Sequence, residues 1–277
     1  MISKIDGGLN KDGKPFSLKL VLEKDINKLN AVFGDNHLNI DKSIHSIRKS
    51  LKSISAILLL CEVHFDRAQY STWKMRIKSL SKQYGLIREP FVYLQTFNRL
   101  EKKLKNFDEI NLCDLKNNLE SQYDLILNDI KNKEGTIQTT KESIIQLTQE
   151  LSNLDITIKN KPLKRRLLIS FNKSQRLFKN LKPGSTANKY HQFRKWCKIF
   201  YYQQTVLNGI ESVKRSGKYK KLYKLTELLG NEHNLQLFYQ YLSTHFPELS
   251  KLSEAVIRLK IKRIRKKALN LYSKICY

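Results

Sequence analysis

Two histidines, two arginines and four lysines recur in this sequence at one fixed spacing. Residues 44–59 read IHSIRKSLKSISAILL and residues 190–205 read YHQFRKWCKIFYYQQT. Both contain H-x-x-R-K-x-x-K, so His45, Arg48, Lys49 and Lys52 align with His191, Arg194, Lys195 and Lys198 at a constant offset of 146. On a helix, His45, Arg48 and Lys52 fall within about 60° of one another, and His191, Arg194 and Lys198 do the same. From the histidine to the distal lysine is about 10 Å along the axis. Each copy is thus a short ladder of cations on a rigid support, which suits a linear polyanion. Arginine offers a planar fork that matches phosphate oxygens, and lysine a mobile point charge. Histidine donates one N–H when neutral and two when protonated, and nearby phosphate favours protonation. Binding of this kind releases counterions and weakens with salt.

Other chemistries lack their residues. The chain has no Walker P-loop, no G-x-S-x-G and no carboxylate cluster suited to Mg²⁺ in phosphoryl transfer. A non-catalytic protein without a cofactor is therefore expected. The histidines have no Asp, Glu or Cys companion at ligand spacing, so no metal site is expected either. The four cysteines, Cys61, Cys113, Cys197 and Cys276, lie singly in apolar helical contexts and read as reduced, buried thiols.

The supporting elements read as helices. Only 10 glycines and 5 prolines occur in 277 residues, and apolar residues recur at helical spacing. Ile44, Ile47, Leu51, Ile54 and Leu58 make one apolar arc beside the first cationic stripe, and Tyr190, Phe193, Cys197 and Phe200 make the matching arc beside the second. The pattern predicts helices near 42–65, 68–84, 90–105, 111–133, 136–155, 162–181, 187–213, 218–229, 231–245 and 247–275, with a further short one at 18–33. The repeat extends past the stripe: LSKQYGLIREPFVYLQTF at 80–97 matches LTELLGNEHNLQLFYQYL at 225–242, with Gly85 opposite Gly230. Both glycines read as helix ends. Two matched motifs in order argue for a duplicated helical unit, packed as two related bundles. Residues 1–39, with their GG, KDGK and GDN breakers, read as an N-terminal arm. The two halves then run from 40 to 156 and from 157 to 277.

Lys and Arg number 52 against 25 acidic residues, a formal +27. Such self-repulsion calls for a polyanionic partner. The excess is uneven: residues 161–277 hold 27 basic and 5 acidic residues, net +22, whereas residues 101–160 are net −3. No stretch is apolar for long enough to span a membrane. The N-terminus lacks a signal-peptide core, so a cytoplasmic location is expected.

The ordered elements IHSIRKSLK, GLIREPFVYL, YHQFRKWCK and GNEHNLQLF resemble the CHAD domain, the conserved histidine α-helical domain, over about residues 40–275. The resemblance implies an all-α fold of two bundles related by pseudo-two-fold symmetry around a basic central groove or pore. It also implies binding of inorganic polyphosphate, with association with polyphosphate granules as a further expectation. His45, Arg48, Lys52, His191, Arg194 and Lys198 would face the ligand, and Arg88 matches the arginine of the family's Gly-x-x-Arg-Asp element. Lys49 and Lys195 adjoin them. The basic run with Lys164, Arg165, Arg166, Lys173 and Arg176 is a candidate additional wall, and Arg258, Lys262, Arg265 and Lys266 form a candidate C-terminal one. The sequence departs from the family where Ser53, Ser55, Ile199 and Tyr201 replace further basic residues. Glu89 followed by Pro90 replaces the Asp in the first half, and Asn234 replaces it in the second.

Charge alone would equally suit a nucleic-acid-binding helical protein or a scaffold for acidic proteins. No helix-turn-helix, zinc finger or RNP motif is present to favour the former. A monomer is the expected state.

Overall fold

Ile44, Ile47, Leu51, Ile54 and Leu58, spaced three or four residues apart, are all buried, and this apolar arc makes residues 40–60 a helix packed between neighbours. At roughly 1.5–3 kcal/mol for each large aliphatic side chain buried, the arc outweighs weak propensities in the segment. The computed structural model describes residues 16–34, 40–104, 109–131, 136–210 and 217–276. The elements are β1 (Phe16–Ser17), α1 (Leu18–Gly34), α2 (Ile40–Leu60), a 3₁₀ turn (Glu62–His64), α3 (Arg67–Asn98), α4 (Glu101–Leu104), α5 (Glu109–Lys131), α6 (Thr136–Ser152), β2 (Thr157–Ile158), α7 (Asn160–Lys179), α8 (Ala187–Ile210), α9 (Gly217–His245) and α10 (Pro247–Cys276). The fold is all-α. β1 and β2 form a two-residue antiparallel pair, Phe16 opposite Ile158 and Ser17 opposite Thr157.

The duplication is visible in the packing. α1 packs on α2, α2 on α3 and α3 on α5; α7 packs on α8, α8 on α9 and α9 on α10. α2 also packs on α8, and α3 on α9, so the equivalent helices of the two halves meet. The Gln203 amide on α8 donates to the Ala56 carbonyl on α2 at 3.1 Å. α6 adds to the first half, packing on α1 and α3. There the Glu150 carboxylate accepts from Trp73 Nε1 (2.9 Å) and Arg76 Nη1 (2.8 Å).

Two apolar clusters hold the helices, and both draw on the two halves. The larger joins α1, α2, α6, α7 and α8 with the first parts of α3 and α9 and the end of α10. The smaller joins α4 and α5 with the second parts of α3 and α9 and the start of α10. Along α3 the larger cluster ends at Tyr84 and Ile87 and the smaller begins at Tyr93; along α9 the change falls between Leu229 and Leu235.

Three expectations are corrected. Gly85 and Gly230 end no helix: α3 and α9 run through them, so the helices expected at 68–84 and 90–105, and at 218–229 and 231–245, merge. Glycine costs about 1 kcal/mol and an interior proline such as Pro90 about 3 kcal/mol in a helix, penalties that tertiary packing on both sides overrides. Leu18, Leu22, Ile26 and Leu29 of α1 are core residues, so this part of the expected arm belongs to the packed body. Residues 1–15, most of the remaining arm, lie outside the described residues. Cys61, Cys197 and Cys276 are buried thiols as expected, but Cys113 is exposed. Among the described residues no helix is long and apolar enough to cross a membrane.

Candidate polyanion site

The cationic stripes of α2 and α8 come together. Arg48 is acted on by the charges of Arg88 and Arg194; Lys52 by Arg48, Lys198, Arg194 and Arg88; and Lys198 by Arg194, Arg88 and Arg48. Arg88 enters from α3, at the point where that helix passes from one apolar cluster to the other. Burial is the first cause of every shift. Repulsion among the cations adds to it at Arg48, Lys52, Arg194 and Lys198, while carboxylates oppose it: Glu89 at Arg48, Asp41 and Glu227 at Arg88, Glu232 and Glu227 at Arg194, and Glu227 at Lys198. The balance leaves Lys198 pushed down to about 8 and Arg48 to about 10, with Lys52, Arg88 and Arg194 below their ordinary ranges. Lys52 and Lys198 keep partial solvent contact although protein surrounds them closely. Each is flanked by several helices and keeps part of its surface in water. His45 and His191 stand nearby with their rings partly in solvent and partly covered by neighbouring chain, and Lys49 and Lys195 adjoin them.

Arg48 is held in place, and all three arginines are left with an unsatisfied Nε. Arg48 Nη1 donates to the Ser81 carbonyl of α3 at 2.8 Å. This hydrogen bond explains the helical glycine: a Cβ on Gly85 would lie 2.8 Å from Arg48 Nη1. Gly230, its counterpart in α9, has nothing within 4 Å of that position. The Nε atoms of Arg48, Arg88 and Arg194 are all buried without a hydrogen-bond partner. Among the described residues, none of these three arginines, nor Lys52 or Lys198, forms an ion pair with a carboxylate. Buried donors left unsatisfied cost about 1–3 kcal/mol each, more for charged groups, unless something supplies acceptors.

His233 on α9 belongs to the same cluster, and the repeated stripe alone does not point to it. Its ring centroid lies 5.1 Å from that of His191, and it feels Arg194, His191, Lys52 and Lys198. The second matched motif does carry the signal: Gly85-Leu-Ile-Arg88 in the first half aligns with Gly230-Asn-Glu-His233 in the second. Burial first, and then neighbouring cations, push His45 down to about 4 and His233 to about 3.

Several cations of the two candidate walls are engaged by partners of their own, and others are exposed. Lys173 of α7 sits 4.3 Å over the Trp196 ring, and Trp196 lies two residues from Arg194, on the opposite side of α8. Arg166 is paired with Glu62 at 2.9 Å, and Arg165 and Arg176 are exposed on α7. On α10, Lys262 is exposed and Arg258 pairs with Glu254 on the surface. Arg265 is a correction. It is buried, its Nε and Nη2 donate to Glu232 Oε1 (2.9 and 2.7 Å), and its Nη1 donates to the Ser185 carbonyl (2.6 Å). Its guanidinium also stacks over Tyr190 at 4.1 Å. Arg265 therefore fastens α10 to α9 and to the loop before α8, with its donors already engaged. A separate recess of about 500 Å³ lies between the end of α7 and the start of α8, lined in part by Lys179, Lys182 and Lys189. Among the described residues no group of three or more His, Cys, Asp or Glu side chains could hold a metal ion.

Comparison with known proteins places the fold in a family. Residues 21–243 match the CHAD domain, and the chain belongs to that family. Among solved structures it is similar in fold to PptA from Streptomyces chartreusis, with a TM-score of 0.68 at 12% identity over 93% of this chain and 97% of that one. No curated protein matches.

Proposed function

We propose that this chain binds linear inorganic polyphosphate in the recess between α2, α3, α8 and α9, and acts by binding rather than by catalysis. The observation that carries the reading is the convergence of Arg48, Arg88, Arg194, Lys52 and Lys198, none of them in a contact ion pair with a carboxylate among the described residues, with three arginine Nε atoms buried and unsatisfied. A chain of phosphates supplies acceptors to each arginine and lysine in turn, and its negative charge offsets the burial and the repulsion between cations that lower their proton affinity. Membership of the CHAD family, whose known activity is polyphosphate binding, supports the same ligand. A cytoplasmic protein that associates with polyphosphate granules follows from this reading. Titration with long-chain polyphosphate, duplex DNA and RNA at matched phosphate concentration and moderate salt tests it. Tightest binding to polyphosphate is expected, and preference for either nucleic acid overturns the reading.

Gly85 offers a local check. Gly85→Ala gains about 1 kcal/mol of helix propensity but drives the Arg48 guanidinium off its Ser81 acceptor. Unchanged or higher melting temperature with polyphosphate affinity lowered about fivefold is expected, since misplacing one charge-assisted hydrogen bond costs about 1 kcal/mol. Gly230→Ala, with open space at its Cβ, should raise the melting temperature and leave affinity unchanged.

A further inference from the structure

The two halves of the recess are not chemically equivalent. Where α3 places Arg88, three residues after Gly85, α9 places His233, three residues after Gly230, and its ring lies 5.1 Å from that of His191. The groups facing this pair are cations: Arg194, Lys195 and Lys198 from α8 and Lys52 from α2. Arg88 of α3 reinforces them through Arg194 and Lys198. The carboxylates within reach of Arg194 are Glu227 and Glu232 of α9, and Glu232 is already held by Arg265 of α10. On α7, Lys173 lies across α8, over Trp196. We propose that His191 and His233 form a phosphate subsite that takes up protons as it fills, so that polyphosphate binding tightens as the medium acidifies. The inference rests on the polyphosphate reading above and adds to it a coupling that Arg88, at the equivalent place in the first half, cannot itself provide.

Two imidazoles this close, ringed by cations, resist protonation while the site is empty. Burial and then Arg194 hold His233 down to about 3, and the same two causes lower His191. A phosphate beside them reverses the sign of the local field and favours imidazolium, which donates from both nitrogens. The occupied site therefore binds more protons than the empty one. By linkage, affinity falls as pH rises through the window between the empty-site value and an occupied value near or above roughly 6.5. Each proton taken up changes Kd by up to about tenfold per pH unit. His45, held at about 4 among Arg88, Lys49, Lys198 and Lys52 at the other end, contributes with the same sign and serves as the internal comparison.

The test measures Kd for long-chain polyphosphate, whose titrating end groups are few, from pH 5.5 to 8 at constant ionic strength. Proton uptake is measured in parallel by calorimetry in two buffers of different ionisation enthalpy. The wild-type chain should bind at least about tenfold tighter at pH 5.5 than at pH 7.5, with net proton uptake. His233→Arg, which installs the first-half pattern, should take up fewer protons and show a flatter profile. His191→Asn/His233→Asn should be flatter still, while His45→Asn keeps most of the slope. Where His233→Arg fails to fold, the smaller neutral His233→Gln takes its place. Equal proton uptake by the wild-type and His233 variants, with binding intact, overturns the proton-linked subsite alone. Absence of polyphosphate binding at every pH overturns the functional reading, and this inference with it.

Discussion

A chain carrying Arg48→Ala, Lys52→Ala, Arg194→Ala and Lys198→Ala together is expected to keep its helical fold and to bind polyphosphate about three orders of magnitude more weakly. Each of the four sits where the facing stripes of α2 and α8 repel one another, and none forms an ion pair with a carboxylate among the described residues. At about 1 kcal/mol or more for each charge-assisted hydrogen bond to phosphate, the sum is about 4 kcal/mol, or roughly a thousandfold. The salt dependence should change in step. The slope of log K against log salt should become shallower by about 0.7 for every phosphate that is no longer neutralised. Unliganded, the variant should melt no lower than the wild type, because it relieves like-charge repulsion and removes buried, unsatisfied Nε atoms of Arg48 and Arg194. Circular dichroism reads the fold, a melting curve the stability and a titration the affinity. Unchanged affinity in the folded variant would place the site elsewhere.

Arg265→Ala should do the opposite, lowering stability with little direct effect on the recess. The Arg265–Glu232 pair is buried, with side-chain exposures of 7% and 4%, and Arg265 also serves the Pro183 and Ser185 carbonyls. Removing one partner of such a pair leaves the other charge uncompensated and costs about 3–5 kcal/mol. For a chain of this size that is a fall in melting temperature of about 10 °C. Burial already raises the Glu232 carboxyl above its ordinary range even with Arg265 beside it. Without Arg265 it rises further. An acid whose folded-state pKa is raised is least harmful below its unfolded value, near 4.3, and costs increasing stability as pH climbs above it. The deficit of Arg265→Ala should therefore be larger at pH 8 than at pH 5, as melting curves at the two values would show. Arg265→Met/Glu232→Leu, which removes both charges and keeps apolar volume, should recover much of the stability.

The duplicated stripe is legible in the sequence because helical spacing sets the angle between side chains on one helix, and His45, Arg48 and Lys52 repeat as His191, Arg194 and Lys198. What lies across from a helix is not written in its own spacing. Arg265 reads as one more cation of a basic run, and only the fold brings Glu232, 33 residues away, against it. Gly85 has the local character of a helix stop, yet its lack of a side chain serves the Arg48 guanidinium on a different helix. Lys173 and Arg166 lie on a basic helix beside the site, but they turn to Trp196 and Glu62. His233 is readable in principle, since it holds the register of Arg88. The change from arginine to histidine at the aligned position hides it from a search for repeated residue types.

The pairing of β1 with β2 sets a condition on how the chain comes together during synthesis. Phe16 and Ser17 find their partners only at Ile158 and Thr157, and the Leu18 amide donates to the Ile156 carbonyl at 2.9 Å. The start of α1 therefore waits, while well over a hundred further residues leave the ribosome, for the segment that closes over it. Pairings of such long range are slow to form and come late. An emerging chain halted before residue 156 would carry α1 without its clasp, whereas release a few residues later would let the first half lock and offer α2 to the incoming α8.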